Sequence, residues 1–189
     1  MIIEESFTVA APRETVADFL LNPTRMSRCV PGVGEVVASG DDSYEATLTV
    51  RVGPIQARFA GEVTIDSSGA PGKLRAVARG RDGATGSQAQ VDFTAVLVEV
   101  DSNTTEVRST SDVTIRGKLG QFGTGVITST ARAMVGEFAL CAGAALASPS
   151  GDIAAPSIAR VARRGLVSYL DGLVAAIGAW LLRLGRKRR

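Results

Sequence analysis

The 189-residue chain contains no histidine. That absence removes the commonest general base, the side chain that titrates near neutral pH, and the commonest transition-metal ligand. Cysteine is nearly as scarce: Cys29 and Cys141 are the only two, and neither sits in a zinc or dithiol spacing. A bond between them is possible, but two cysteines do not make a secreted disulfide scaffold, and reduced thiols in a cytoplasm are expected. No basic patch followed by an apolar run opens the chain, so residues 1–6 read as the start of a strand rather than an export signal. Gly117, Gly120, Gly123 and Gly125 lack the Gly-Lys-Ser or Gly-x-Gly-x-x-Gly context of a phosphate loop. No serine has a recognisable base, and acids and bases scatter along exposed strand positions. A protein that is not an enzyme is expected, with no catalytic residues and no bound metal.

What is present is ordinary globular material. Hydrophobic residues make up 45% and charged residues 21%, enough to bury one core and too little chain for two large domains. The net charge of +2 conceals a division. Residues 156–189 carry eight Lys or Arg against the single acid Asp171, about +7. The remaining 13 bases and 18 acids leave the body near −5. Body and tail are built for different partners.

Residues 2–9 alternate and suit a first strand. Pro12 opens a short helix, with Glu14 at its positive end, and Asn22-Pro23 ends it. A second short helix is predicted over 24–28, broken by Val30-Pro31-Gly32. From 35 to 115 the pattern has period two, with turn residues at Gly53-Pro54, 67–72 and Asp82-Gly83. Such one-face alternation predicts about six antiparallel strands with one covered face. Leu119, Phe122, Val126, Ile127, Thr130, Met134, Val135 and Phe138 then recur at helical spacing, predicting a helix approaching thirty residues that ends near 146.

This order of elements is that of an α+β helix-grip fold, a curved antiparallel sheet wrapped around a long C-terminal helix. Many inward positions are small: Ala46, Ala57, Gly61, Ala76, Ala78, Ala89, Ala95, Ser109 and Ser111. Small side chains on a concave face leave space that leucine and phenylalanine would fill, so an apolar internal cavity with a few hydroxyls is expected. For any one residue, plain core packing is the better explanation; the cavity reading rests on the set together with the long helix.

The run from Phe7 to Pro23 resembles the opening of the START/Bet v 1-like (SRPBCC) superfamily. Within it, Cys29-Val30-Pro31-Gly32-Val33 and 117–123 (Gly-Lys-Leu-Gly-Gln-Phe-Gly) resemble the CoxG family, the G subunits of carbon monoxide dehydrogenase. The likeness covers about 1–146. It implies a START-like ligand-binding domain and an accessory role beside a carbon monoxide dehydrogenase or related molybdenum hydroxylase. Function follows from it only weakly, since the superfamily's fold hosts transporters, cyclases and regulators.

Beyond a small-residue linker at 147–156, residues 157–189 read as a basic amphipathic helix. Leu166, Tyr169, Leu170, Leu173, Ile177, Trp180 and Leu181 share one broad face, and Arg183, Arg186, Lys187, Arg188 and Arg189 crowd the end. Another core helix would leave those charges unexplained. A span over 165–182 is about 27 Å, just short of a bilayer core, and Asp171 at mid-bilayer costs about 3 kcal/mol. A nucleic-acid tail would carry less Leu, Ile, Val and Trp. An in-plane anchor on the cytoplasmic side of the cell membrane accounts for all of it, each basic side chain contributing about 1 kcal/mol near an anionic leaflet.

These parts together predict a peripheral membrane carrier of a hydrophobic molecule. Given the dehydrogenase resemblance, a respiratory isoprenoid quinone such as menaquinone is the expected cargo, with no covalent cofactor. The expected lining is Leu48, Phe59, Phe93, Leu97, Phe122, Val126 and Met134 for apolar contact, with Tyr44, Ser109, Ser111 and Thr130 for polar contact. The alternative is an adaptor or assembly factor that docks the dehydrogenase at the membrane and needs no ligand.

Overall fold

A computed structural model of the chain describes residues 1–147. Strand β1 (Ile2–Val9) is followed by helices α1 (Arg13–Leu20) and α2 (Pro23–Met26) and a 3-10 turn (Ser27–Cys29). Six strands come next: β2 (Val33–Ala38), β3 (Ser43–Val52), β4 (Ile55–Asp66), β5 (Lys73–Asp82), β6 (Ser87–Asp101) and β7 (Thr104–Arg116). A second 3-10 turn (Lys118–Gln121) leads into helix α3 (Thr124–Ala147). All strands join one antiparallel sheet in the order β1-β7-β6-β5-β4-β3-β2. The first strand therefore closes beside the last.

Local chemistry explains the short helices. Pro12 stands at the N-cap of α1, one place earlier than the sequence suggests, and Asn22 caps α2 by accepting from Arg25 N at 3.1 Å. Pro23 then takes the first helical position, where its missing N–H costs nothing. The predicted helix at 24–28 is a single α turn continued as 3-10.

The closing helix is shorter than expected, at 24 residues, or roughly 36 Å. Its predicted first turn is a 3-10 turn, and Phe122 is extended before the helix begins. Gly117 has a φ of 82°, and a Cβ there would lie 2.5 Å from the Gly86 carbonyl oxygen. The chain turns into the helix through a conformation that only glycine adopts cheaply.

A second departure concerns the cysteines. Cys29 and Cys141 form a disulfide, with Cα atoms 5.3 Å apart, where free thiols were expected. The sequence separation of 112 hides the contact; α3 lays its final turns over the Ser27–Cys29 turn and brings the two together. The bond is buried with Phe19, Ala142 and Ala145.

The core consists of packed ends rather than one continuous mass. At one end, Val9, Val16, Ala17, Leu74, Ala95, Leu97 and Val107 form a cluster that meets the disulfide cluster through Leu20 and Leu146. At the other, Val52, Ala57, Phe59, Leu119 and Ile127 pack together, with Phe122 and Val126 against them. Helix α3 bridges the two ends and lies closest to β1, with a lesser approach to β3. It is long and apolar enough to cross a membrane by length and composition, but here it packs on the sheet and is cross-linked to the Ser27–Cys29 turn.

Candidate functional site

Strand register defines the wall that faces α3. Two neighbouring rows cross the middle of the sheet: Tyr44–Val63–Ala78–Val91 and Ile65–Ala76–Phe93–Ser111. Every one of these eight side chains is half-buried, and the rows close on buried Val113 and Ile3. The next row toward Phe59 (Ala46–Gly61–Gly80–Ala89–Ile115) is half-buried too, and the row on the other side, with Leu74 and Ala95, belongs to a packed cluster. From above, α3 sets Thr130 and Met134, both half-buried, midway between Ile127 at one packed end and Cys141 at the other. The middle of the wall keeps contact with solvent because alanine and valine do not reach across to the helix. An amphipathic binding surface results, apolar over most of its area and hydroxylated at its edges.

The eleven residues expected to line a site divide accordingly. Tyr44, Phe93, Ser111, Thr130 and Met134 belong to the open middle. Leu48, Phe122 and Val126 are half-buried toward the Phe59 end. Phe59, Leu97 and Ser109 are buried, the first two inside the packed ends. Ala95, an obvious place from sequence to plug a cavity with a large side chain, is 0% exposed and lies in the same cluster as Leu97. Ala76 and Ala78 are the positions that face the space. The expected membrane-binding residues, from Leu166 to Arg189, fall outside the described residues.

Hydrogen bonding sorts the four hydroxyls further. Ser109 Oγ donates to the Glu5 carbonyl oxygen at 3.1 Å, and Thr130 Oγ1 donates to the Val126 carbonyl oxygen at 2.9 Å. Each has spent its one proton on the backbone and retains only acceptor capacity. Tyr44 and Ser111 make no side-chain hydrogen bond among the described residues, so both keep a donor. They lie four strands apart, about 19 Å along the sheet, and serve different parts of the wall.

The buried polar side chains of Asp82, Ser87, Thr105 and Glu137 have no counterpart in the sequence reading. Asp82, 4% exposed, accepts from Arg58 N at 3.2 Å and Thr85 N at 2.9 Å, and from the Thr85 hydroxyl. The Thr85 hydroxyl holds the Asp82 carboxyl below the usual aspartate range, with the Thr85 and Arg58 N–H groups assisting and burial opposing. Ser87 Oγ lies 2.8 Å from Thr85 Oγ1 and accepts from Leu119 N at 3.0 Å, so this knot fastens the β5–β6 turn to the chain entering α3. The Asp82-Gly83 pair is legible as a turn; that its carboxylate turns inward is not. Glu137 is buried on the α3 stripe that also carries Ala133 and Cys141. In sequence it is one acid inside an apolar periodic run.

The CoxG family, described as the G subunit of carbon monoxide dehydrogenase, matches residues 6–147. The chain is similar in structure to a conserved protein from Geobacillus kaustophilus, with a TM-score of 0.72 at 17% identity, covering 78% of this chain and 95% of that one. A START superfamily protein from Mycobacterium smegmatis aligns with a TM-score of 0.61 at 9% identity, over 77% of this chain and 97% of the other. The Zhui aromatase/cyclase from Streptomyces sp. R1128 gives 0.53 at 16% identity, over 87% and 94%. At these identities the structures show a shared fold, the START/Bet v 1-like helix-grip, and no more. Comparison with curated proteins finds no match.

Proposed function

The chain belongs to the CoxG family of carbon monoxide dehydrogenase, and from that premise we propose that it carries a hydrophobic ligand held between the sheet and α3. The observation that supports this most is the half-buried middle wall: eight contiguous inward side chains that remain solvent-accessible between two packed ends. A protein that used its sheet only as a core would fill this region with larger side chains. Burying about 300 Å² of apolar ligand surface contributes roughly 7 kcal/mol before the cost of immobilising the ligand. One hydrogen bond adds about 1 kcal/mol. Apolar contact therefore supplies affinity, and Tyr44 or Ser111 supplies orientation.

The finer reading adds a cargo and a destination to this role. An isoprenoid quinone such as menaquinone has the required form, a polar head on a long apolar tail. The carrier takes it from the cytoplasmic membrane and presents it to a carbon monoxide dehydrogenase or related molybdenum hydroxylase, which thereby passes its electrons to the respiratory chain. The basic amphipathic segment at 157–189 holds the carrier at the membrane surface. No step in this role requires the chain to do chemistry itself.

The test is mass spectrometry of an organic extract from purified full-length protein made in a quinone-producing host. Ala78→Trp places an indole in the open wall and should empty the protein of ligand while it remains folded. An extract without quinone, from protein that also ignores added quinone, would favour the adaptor reading. Replacing Arg183, Arg186, Lys187, Arg188 and Arg189 by glutamine should abolish flotation with anionic liposomes. Unchanged flotation would remove the anchor from the account.

A further inference from the structure

The opposite face of the same sheet is not a featureless solvated surface. It carries an open trough of about 1120 Å³ between β2 and β7. Arg58, Arg79, Arg81 and Arg116 line its basic side, and Glu35, Glu45 and Glu62 its acidic side. All four arginines are exposed. None takes part in an ion pair among the described residues, and the only side-chain bond any of them makes is Arg79 Nε to Gln90 Oε1 at 3.4 Å. Exposed cations without an ion pair are common among the described residues; what distinguishes these four is that they gather in one trough.

Spacing and charge order point to a type of partner. Arg79 and Arg81 project from the same face of β5 about 7 Å apart, the repeat of alternate side chains in an extended peptide. Arg81, Gln88 and Arg116 lie in register across three strands, placing the outer two about 10 Å apart. Carboxylates on alternate residues of an extended segment match this grid, and arginine binds each in a fixed fork. Glu45 and Glu62 continue the row of Arg79, so a uniformly anionic polymer lying along that row would meet repulsion at one end. A protein segment, acidic over the arginines and neutral or basic beyond, meets none. The trough is also too open to enclose a small molecule.

From this we infer that the outer trough is a docking site for an acidic, extended segment of a partner protein. It lies across the sheet from the ligand wall, so a partner can be held there while α3 and the wall remain accessible. The inference stands whether or not the ligand is a quinone.

The probe is a fluorescein-labelled peptide of about a dozen residues, Glu alternating with Ser over one half and Lys with Ser over the other, matched to the strand repeat, titrated by anisotropy against the full chain at low salt. Arg79→Glu, Arg81→Glu and Arg116→Glu are combined in one variant. A control combines Arg28→Glu, Lys73→Glu and Lys118→Glu, three exposed positions outside the trough. Both variants change the net charge equally, so any attraction from the basic tail cancels, and circular dichroism checks that both are folded. Three surface charge contacts predict about tenfold weaker binding by the trough variant, against less than about threefold for the control. Equal losses in the two variants, or no binding by the wild type, would overturn the proposal. So would a larger loss for a single-stranded oligonucleotide or for anionic vesicles than for the peptide, since either would assign the arginines to a different class of partner.

Discussion

The two faces of the central strands carry opposite chemistry on alternate residues. On β5 and β6 the inner face presents Ala76, Ala78, Val91 and Phe93, while the outer presents Arg75, Arg79, Gln90 and Asp92. The inner face is half-buried in its middle and packed into clusters at both ends. The outer face is rich in charge, and four of its arginines share one trough and make no ion pair among the described residues. A core strand needs only apolar residues inward and polar residues outward. This sheet goes beyond that minimum on its inner side, where the middle stays half-buried, and on its outer side, where arginines from three strands share one trough.

The comparison can be broken most strongly at the disulfide that holds α3 over the inner wall. Cys141→Ser should lower stability by about 4–5 kcal/mol, because the bond closes a loop of more than a hundred residues. Urea unfolding with and without reductant reads this directly. A wild-type midpoint indifferent to reductant would mean that the bond contributes nothing. Next, Ala95→Trp should cost about 1–3 kcal/mol or more by overpacking a filled cluster, whereas Ala78→Trp, one row into the open wall, should cost less than about 0.5 kcal/mol. Equal losses would show that the wall is as tightly packed as the ends.

A sharper comparison concerns acid. The Asp82 carboxyl has a folded pKa below its unfolded value, so the stability it contributes is present above the ordinary aspartate pKa. That contribution is lost as pH falls through the folded pKa. Asp82→Asn should therefore lower stability near neutral pH and flatten its decline between about pH 4 and the acid limit, as followed by thermal melts. Parallel pH profiles for wild type and variant would show the knot to be inert. The smallest effect belongs to the outer face: Arg81→Gln should leave stability within about 0.5 kcal/mol, since the side chain is exposed and makes no ion pair. A larger loss would make Arg81 a structural residue rather than a docking one.

Much of the fold could be read in advance because the strands are long and their alternation regular. Tyr44 to Val50, Ile55 to Ile65 and Val107 to Ile115 announce which face each side chain takes, and the register agrees. The open middle of the wall was legible in outline from the alanines. Which alanines face it was not: Ala78 and Ala95 alternate identically in sequence, and only the packing of α1 and Leu97 onto Ala95 separates them. The start of α3 was misplaced because Leu119 and Phe122 keep helical spacing through a 3-10 turn and an extended residue. The disulfide was missed because spacing within a chain says nothing about which turns a long helix will cover.

By itself the sequence determined the element order, the two faces of each strand, the division of charge between body and tail, and the family. All of these are local or compositional properties, set by side-chain period, turn residues and residue counts. The tertiary structure alone decided which inward residues are core and which remain open, which hydroxyls keep a proton to donate, that Cys29 meets Cys141, and that four arginines from three strands share one trough. Most of these depend on a distance between residues far apart in the chain, which the path of the strands and of α3 sets; the Thr130 bond to Val126 is the local exception.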